Sequence, residues 1–322
     1  MIKRITILCT IAMIILGMPM HLYAQFEIYH PPALPEDQRQ DGLYEERFDS
    51  GEVKRLLTYK NGQANGPFNV FYMSGALRGE GIYVNGVLHG KAIGYYPSGI
   101  KKFRVKYRDG QLHGDAKSFY DDGVLKSYYY YEFGLLEGIG KEFCSNGQVC
   151  YERRYKKGKE NGWAKEYSPE GFLKRTAYFK DGIQEGVIRE FDKEGRVQRA
   201  FNAYDGLANG VVKEYYLTGE LKSEAVLADG KLINGPIKEF YKTGELWKEI
   251  TIEAGIRQGL YREYYESGEI KTTGQFVMDK RHGLFKSYYE NGKLKNETSF
   301  RQGVKGVSKN YDEFENLLLG DE

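Results

Sequence analysis

Aromatic and branched apolar residues recur along this chain in short alternating bursts, and each burst is closed by a glycine-bearing turn. The bursts are in register. Counting from zero at Gly42, Gly66, Gly90, Gly114, Gly138, Gly162, Gly186, Gly210, Gly235, Gly259, Gly283 and Gly306, the step is 24 residues except for one of 25 (210 to 235) and one of 23 (283 to 306). Position five is aromatic in every unit from 66 onward, among them Phe71, Tyr95, Phe143, Phe191 and Tyr288. Position eleven is usually Leu, Val or Ile, and position seventeen is Tyr or Phe in eight units. Such residues at such short spacing are strand signals and leave no room for a helix.

Two further glycine registers, at positions nine and twenty, complete the punctuation, and the three registers together hold 33 of the chain's 40 glycines. Strings such as Met73-Ser74-Gly75 and Glu290-Asn291-Gly292 suit three-residue hairpin loops whose last residue is left-handed. That loop pairs position six with ten, five with eleven and four with twelve. Charges agree with the register, since Glu166 then faces Lys174, Glu214 faces Lys222 and Glu263 faces Lys271. The second loop of each unit, as in Lys60-Asn61-Gly62, is read by the same three-residue rule. Positions five, eleven and seventeen then share an apolar face, and the even positions form a polar one. On this assignment Phe143→Ala destabilises more than Tyr265→Ala.

The prediction is an all-β fold: an elongated single-sheet solenoid of about eleven 24-residue antiparallel hairpins, with atypical terminal units. At about 4.8 Å per strand its roughly 22 strands would extend on the order of 100 Å as a monomer. The string Gly-x4-aromatic-Tyr-x2-Gly-x-Leu-x5-Tyr-x2-Gly, as in Gly66 to Gly86 and Gly114 to Gly134, resembles the MORN repeat (membrane occupation and recognition nexus) in its bacterial variant form. The resemblance covers about residues 42–316. It implies a twisted sheet of hairpins and a scaffold or protein-interaction role. Bacterial chains with this variant are often labelled antitoxins, a role that an exported chain could not perform against a cytosolic toxin.

Export is expected from the first residues. Lys3 and Arg4 precede the apolar run Ile5 to Met18, and Leu22-Tyr23-Ala24 offers a cleavage site before Gln25, so residues 1–24 read as a signal peptide. Residues 25–41, with Pro31, Pro32 and Pro35, read as a leader, and 42–322 as the repeat array. Without the signal the chain carries 45 basic and 45 acidic residues, a balance that argues against nucleic acid and against strong membrane association.

Little in the chain suggests chemistry. His30, His89, His113 and His282 survive cleavage, but His89 and His113 would stand about 10 Å apart, too far to share a metal ion. The carboxylates fall in repeating cross-strand ladders, and no serine or cysteine has a histidine partner in the pattern. No catalytic residue, metal or cofactor is expected. Cys144 and Cys150 would be diagonal neighbours about 7–8 Å apart, so free thiols are expected despite export.

The surface feature that stands out is position six, tyrosine in Tyr72, Tyr96, Tyr120, Tyr216, Tyr241, Tyr265 and Tyr289 and interrupted by Cys144, Ser168 and Asp192. Such a stripe either fills a half-buried sheet surface or offers rigid contacts to a partner. The expected function is therefore an exported, non-enzymatic scaffold for another protein. A glycan- or envelope-binding module, or an antitoxin-like binder if the signal is misread, are the alternatives.

Overall fold

The computed structural model describes residues 40–318; the expected signal peptide, nearly all of the leader and His30 lie outside the described residues. These contain 28 strands and no helix, and the strands form antiparallel pairs in one sheet. The all-β hairpin repeat read from the sequence is the fold observed. The described residues divide into two compact units. One runs to Leu173 and takes in Phe179–Ile183; the other comprises Lys174–Tyr178 and the chain from Gln184 onward.

Both hairpin ends are built from their turn residues. At the first loop the position-six N–H donates to the position-ten carbonyl, as from Tyr72 to Ala76 O at 2.8 Å. The glycine at position nine is left-handed, with φ 79° at Gly75. This is the expected three-residue loop. The second loop is not. Lys60 pairs with Gln63, and both residues between them have positive φ, 52° at Asn61 and 70° at Gly62. That is a two-residue type I′ turn, whose twist matches that of the strands it joins. The same geometry recurs at Asn85-Gly86, Asp109-Gly110 and Asp181-Gly182.

The register departs from expectation at one residue. Position five does face eleven, as Phe143 faces Val149, but Glu142 at position four faces Tyr151 rather than Cys150. The step recurs as Val70 to Gly79, Glu214 to Ser223 and Glu263 to Thr272. Position twelve is thus the extra residue of a β-bulge, and it reverses the parity of the second strand. The core face therefore carries positions two, four and six of the first strand with thirteen, fifteen and seventeen of the second. Position seventeen was placed correctly, but positions five and eleven lie on the other face, half-buried. The ranking of Phe143 above Tyr265 consequently loses its basis. Of the expected ion pairs, Glu263 still meets Lys271 at 3.0 Å, while Glu214 turns to Arg199 at 2.8 Å.

The first unit's core joins Leu57, Phe68, Phe103, Val105, Tyr129 and Tyr155 with their neighbours, and Val105 is 0% exposed. A single sheet buries these rings by laying them on bare backbone. A Cβ on Gly140 would stand 2.5 Å from the Tyr129 ring, and one on Gly94 would stand 2.3 Å from Phe103. Glycine at these two places makes room for an aromatic neighbour. The same unit buries charge: Arg153 meets Glu142 at 2.8 Å and the buried Glu160 at 3.3 Å, and Tyr129 Oη donates to Glu142 at 2.7 Å. In the second unit the core runs through Ile188, Phe201, Val212, Leu227, Ile237, Ile252, Phe276 and Phe285.

A second irregularity lies just before each zero-position glycine, where Leu57 pairs with Phe68 and Tyr59 with Ala64, so Thr58 faces a looser stretch. The unit of 25 residues places its added residue, Asn234, here, and the unit of 23 lacks one here. Beyond the short step, Thr298 still faces Ser308, as Leu57 faces Phe68. The bulge absorbs the length change and the faces hold.

Candidate interaction surface

The tyrosines of position six stand at the loop end of the core face, half-buried. Each of the seven hydroxyls donates to the main-chain carbonyl at position five of the following unit. In the first unit Tyr72 donates to Tyr95 O, Tyr96 to Phe119 O and Tyr120 to Phe143 O, at 2.7–2.8 Å. In the second, Tyr216 donates to Phe240 O, Tyr241 to Tyr264 O, Tyr265 to Tyr288 O and Tyr289 to Tyr311 O, at 2.7–2.9 Å. The bulged residue of position twelve covers the ring. Arg78, Lys102, Lys126, Lys271 and Lys295 hold their charge 5.1–5.9 Å from the ring centres of Tyr72, Tyr96, Tyr120, Tyr265 and Tyr289. Burial raises the hydroxyl pKa of Tyr96, Tyr120, Tyr216 and Tyr241 above that of ordinary phenol, so they stay protonated as donors. Within each of the two compact units the stripe is a ladder that ties successive hairpins together wherever the tyrosine is present.

Between Tyr72 and Tyr289 three rungs lack the tyrosine, and each side chain that replaces it is bonded locally. Cys144 and Cys150 form a disulfide with Cα atoms 5.5 Å apart. This corrects the expectation of free thiols. The bulge carries Cys150 off the diagonal and into the separation range that disulfides use. The pair occupies positions six and twelve, where other units place a tyrosine under its cation. Ser168 Oγ accepts from Phe172 N at 3.3 Å within its own loop. Asp192 turns its carboxylate back onto Glu194 N, Arg196 N and Arg196 Nε at 2.7–3.0 Å. Burial alone would raise its pKa, but these bonds hold the carboxyl below its ordinary value.

At the opposite end of the hairpin a second set of bonds joins successive units. The side chain just before a zero glycine accepts from the position-nineteen N–H of the following turn. Asp41 accepts from Asn61 N, Glu137 from Lys157 N, Asn234 from Ala254 N and Gln258 from Met278 N, at 2.6–2.9 Å. His113 belongs to this set, its Nδ1 accepting from Phe133 N at 3.4 Å. His89, at the equivalent place, stands 3.7 Å from Asp109. Among the described residues no group of three or more His, Cys, Asp or Glu is placed to hold a metal ion.

Sequence reading passed over position one, which lies on the face away from the core. In the second unit it carries Val211, Leu260, Leu284 and Val307, all exposed, with Leu260 at 55% and Val307 at 71%. In the first it carries Ile139 and Trp163, also exposed. An apolar residue directly after the glycine was the available signal, masked by the polar or proline residues Pro67, Lys91, Asp115 and Pro236 at the same place.

Comparison with known families bears on the repeat itself. The MORN repeat variant matches residues 40–61, 112–133, 208–227, 257–278 and 281–302. The four matches from 112–133 onward each lie within a span that opens at a two-residue turn and closes at the next, and the match 40–61 closes at such a turn, so the family's unit and this chain's hairpin coincide in phase. No curated protein matches the chain. With five in-phase matches on a sheet of hairpins, the chain is a MORN repeat protein.

Proposed function

We propose that this chain is an exported, non-enzymatic scaffold that binds another protein along its repeats. The observation that carries the reading is the exposed apolar series of position one: Val211, Leu260, Leu284 and Val307. Exposed apolar surface repeated on one face is characteristic of a protein contact. The glycan alternative relied on the tyrosine stripe, whose hydroxyls are spent within the chain. Export is supported by the basic and apolar start of the sequence and by the Cys144–Cys150 disulfide, since such bonds persist in oxidising compartments.

Two measurements test this. Fractionation of tagged full-length chain, with intact mass after alkylation under non-reducing conditions, is expected to find exported protein lacking its first 24 residues. Its mass should be two hydrogens lighter than the dithiol, with Cys144 and Cys150 unalkylated. Uncleaved cytosolic protein with both thiols alkylated would end the export reading. Affinity capture from an extract of the same compartment should retain proteins that Leu260→Asp/Leu284→Asp loses, with affinity reduced roughly tenfold or more. Equal capture by both forms, or binding confined to a glycan panel, would end the protein-scaffold reading.

A further inference from the structure

At the Asp192 rung the place that a tyrosine ring takes elsewhere is open. Between Glu190, Gln198 and Arg199 of this repeat and Glu214, Tyr215 and Leu217 of the next lies an open cavity of about 360 Å3, closed on its far side by the next rung, Tyr216, with Lys222; Asp192 itself does not line it. These are the positions that surround a tyrosine ring elsewhere: the bulged position twelve of the same unit, and positions five and seven of the next. Tyr215 O stands where seven other units place the acceptor of a tyrosyl hydroxyl. The next rung along shows the site filled, with Tyr216 Oη on Phe240 O at 2.7 Å and Lys242 5.9 Å from its ring centre. Asp192 does not fill the space, because its short side chain is held in its own loop by Arg196 and Glu194.

We propose that this slot receives a tyrosine side chain presented by a protein partner, its ring over Arg199 and its hydroxyl donating to Tyr215 O. The chain's own tyrosines specify the occupant: a planar ring of this size with a donor at its far end. Arg199 is fixed beneath the ring by Glu214 at 2.8 Å and Glu190 at 3.4 Å, so its guanidinium can face a π-system without searching for a position. Phenylalanine would fit the volume and leave the carbonyl without its donor. The proposal rests on the scaffold reading only for where the tyrosine comes from.

The test uses 4-fluorophenol and 4-fluorotoluene as probes of the full mature chain, followed by fluorine NMR line width. Saturable broadening of 4-fluorophenol is expected, with 4-fluorotoluene binding about fivefold more weakly for want of the hydroxyl. Asp192→Tyr, whose own ring enters the slot, should weaken phenol binding roughly tenfold or more. Should that variant fail to fold, Leu217→Trp at the exposed rim gives the same readout by obstruction. Equal affinity for both probes, or phenol binding unchanged in the folded variant, would overturn the proposal. The probes need no partner, so a slot that fails leaves the scaffold reading standing. A scaffold that captures nothing leaves the slot's phenol binding intact.

Discussion

Arg153 and Glu160 show what a buried charge means for one residue. Both side chains are almost wholly out of water, and Glu142 supplies the second carboxylate. Burial raises the Glu160 pKa, Arg153 opposes the rise and Glu142 adds to it, and the net shift is upward. The folded state therefore favours the protonated acid. What Glu160 contributes to stability is fully present below its unfolded pKa and is lost as pH rises through the folded one. Glutamine mimics the protonated form, and Gln184 already occupies the same position one unit later, also buried. Glu160→Gln should thus gain on the parent chain in denaturant midpoint as pH rises above the ordinary carboxylate range, where the parent must either ionise the buried acid or hold its proton against solution. A difference that does not change with pH would mean that Glu160 titrates as though exposed.

A hairpin is the smallest piece that makes sense of the face assignment. Tyr129 is 2% exposed and lies on Gly140, whereas Phe143 is half-buried on the opposite face beyond the bulge. Truncation of Tyr129 to alanine should cost about 3–5 kcal/mol, and truncation of Phe143 clearly less. Urea midpoints in the reverse order would refute the observed faces. Much of the hairpin was legible beforehand: its length, its glycine turns, the pairing of five with eleven, and the tyrosine row. The extra residue at position twelve was not. Glu and Lys at positions four and twelve suggest direct pairing, yet long side chains reach each other across a bulge as well, as Glu263 and Lys271 do. Charge agreement therefore could not tell a regular pair from a bulged one. The two-residue turn was missed because Lys-Asn-Gly looks alike whether lysine is the first loop residue or the last strand residue. The role of the tyrosines depended on where a carbonyl of the next unit lies, which spacing along one chain does not reveal. The position-one series was overlooked because alternation was sought in the interior of the strands.

Across the whole molecule, stability should behave as a sum over hairpins and their junctions. Deletion of residues 235–258 removes 24 residues and joins Asn234 to Gly259, which brings Tyr216 opposite the Tyr264 carbonyl that Tyr241 now holds. That shortened chain is expected to unfold cooperatively with its β spectrum preserved. Deletion of 235–246 alone removes one strand, reverses the direction of all that follows, and should give no soluble folded product. Equal behaviour of the two deletions in circular dichroism and urea titration would contradict the unit boundaries. The loose step before each zero glycine has a consequence of its own. The added Asn234 leaves the Ile233 N–H on Val226 O at 3.1 Å, and itself takes up the bond to Ala254 N at 2.9 Å. The chain thus already carries a natural splice point at which extra sequence does not disturb what lies on either side. Epitopes or reactive handles grafted at successive steps within one compact unit would be held one hairpin apart, a fixed spacing for displaying foreign peptides.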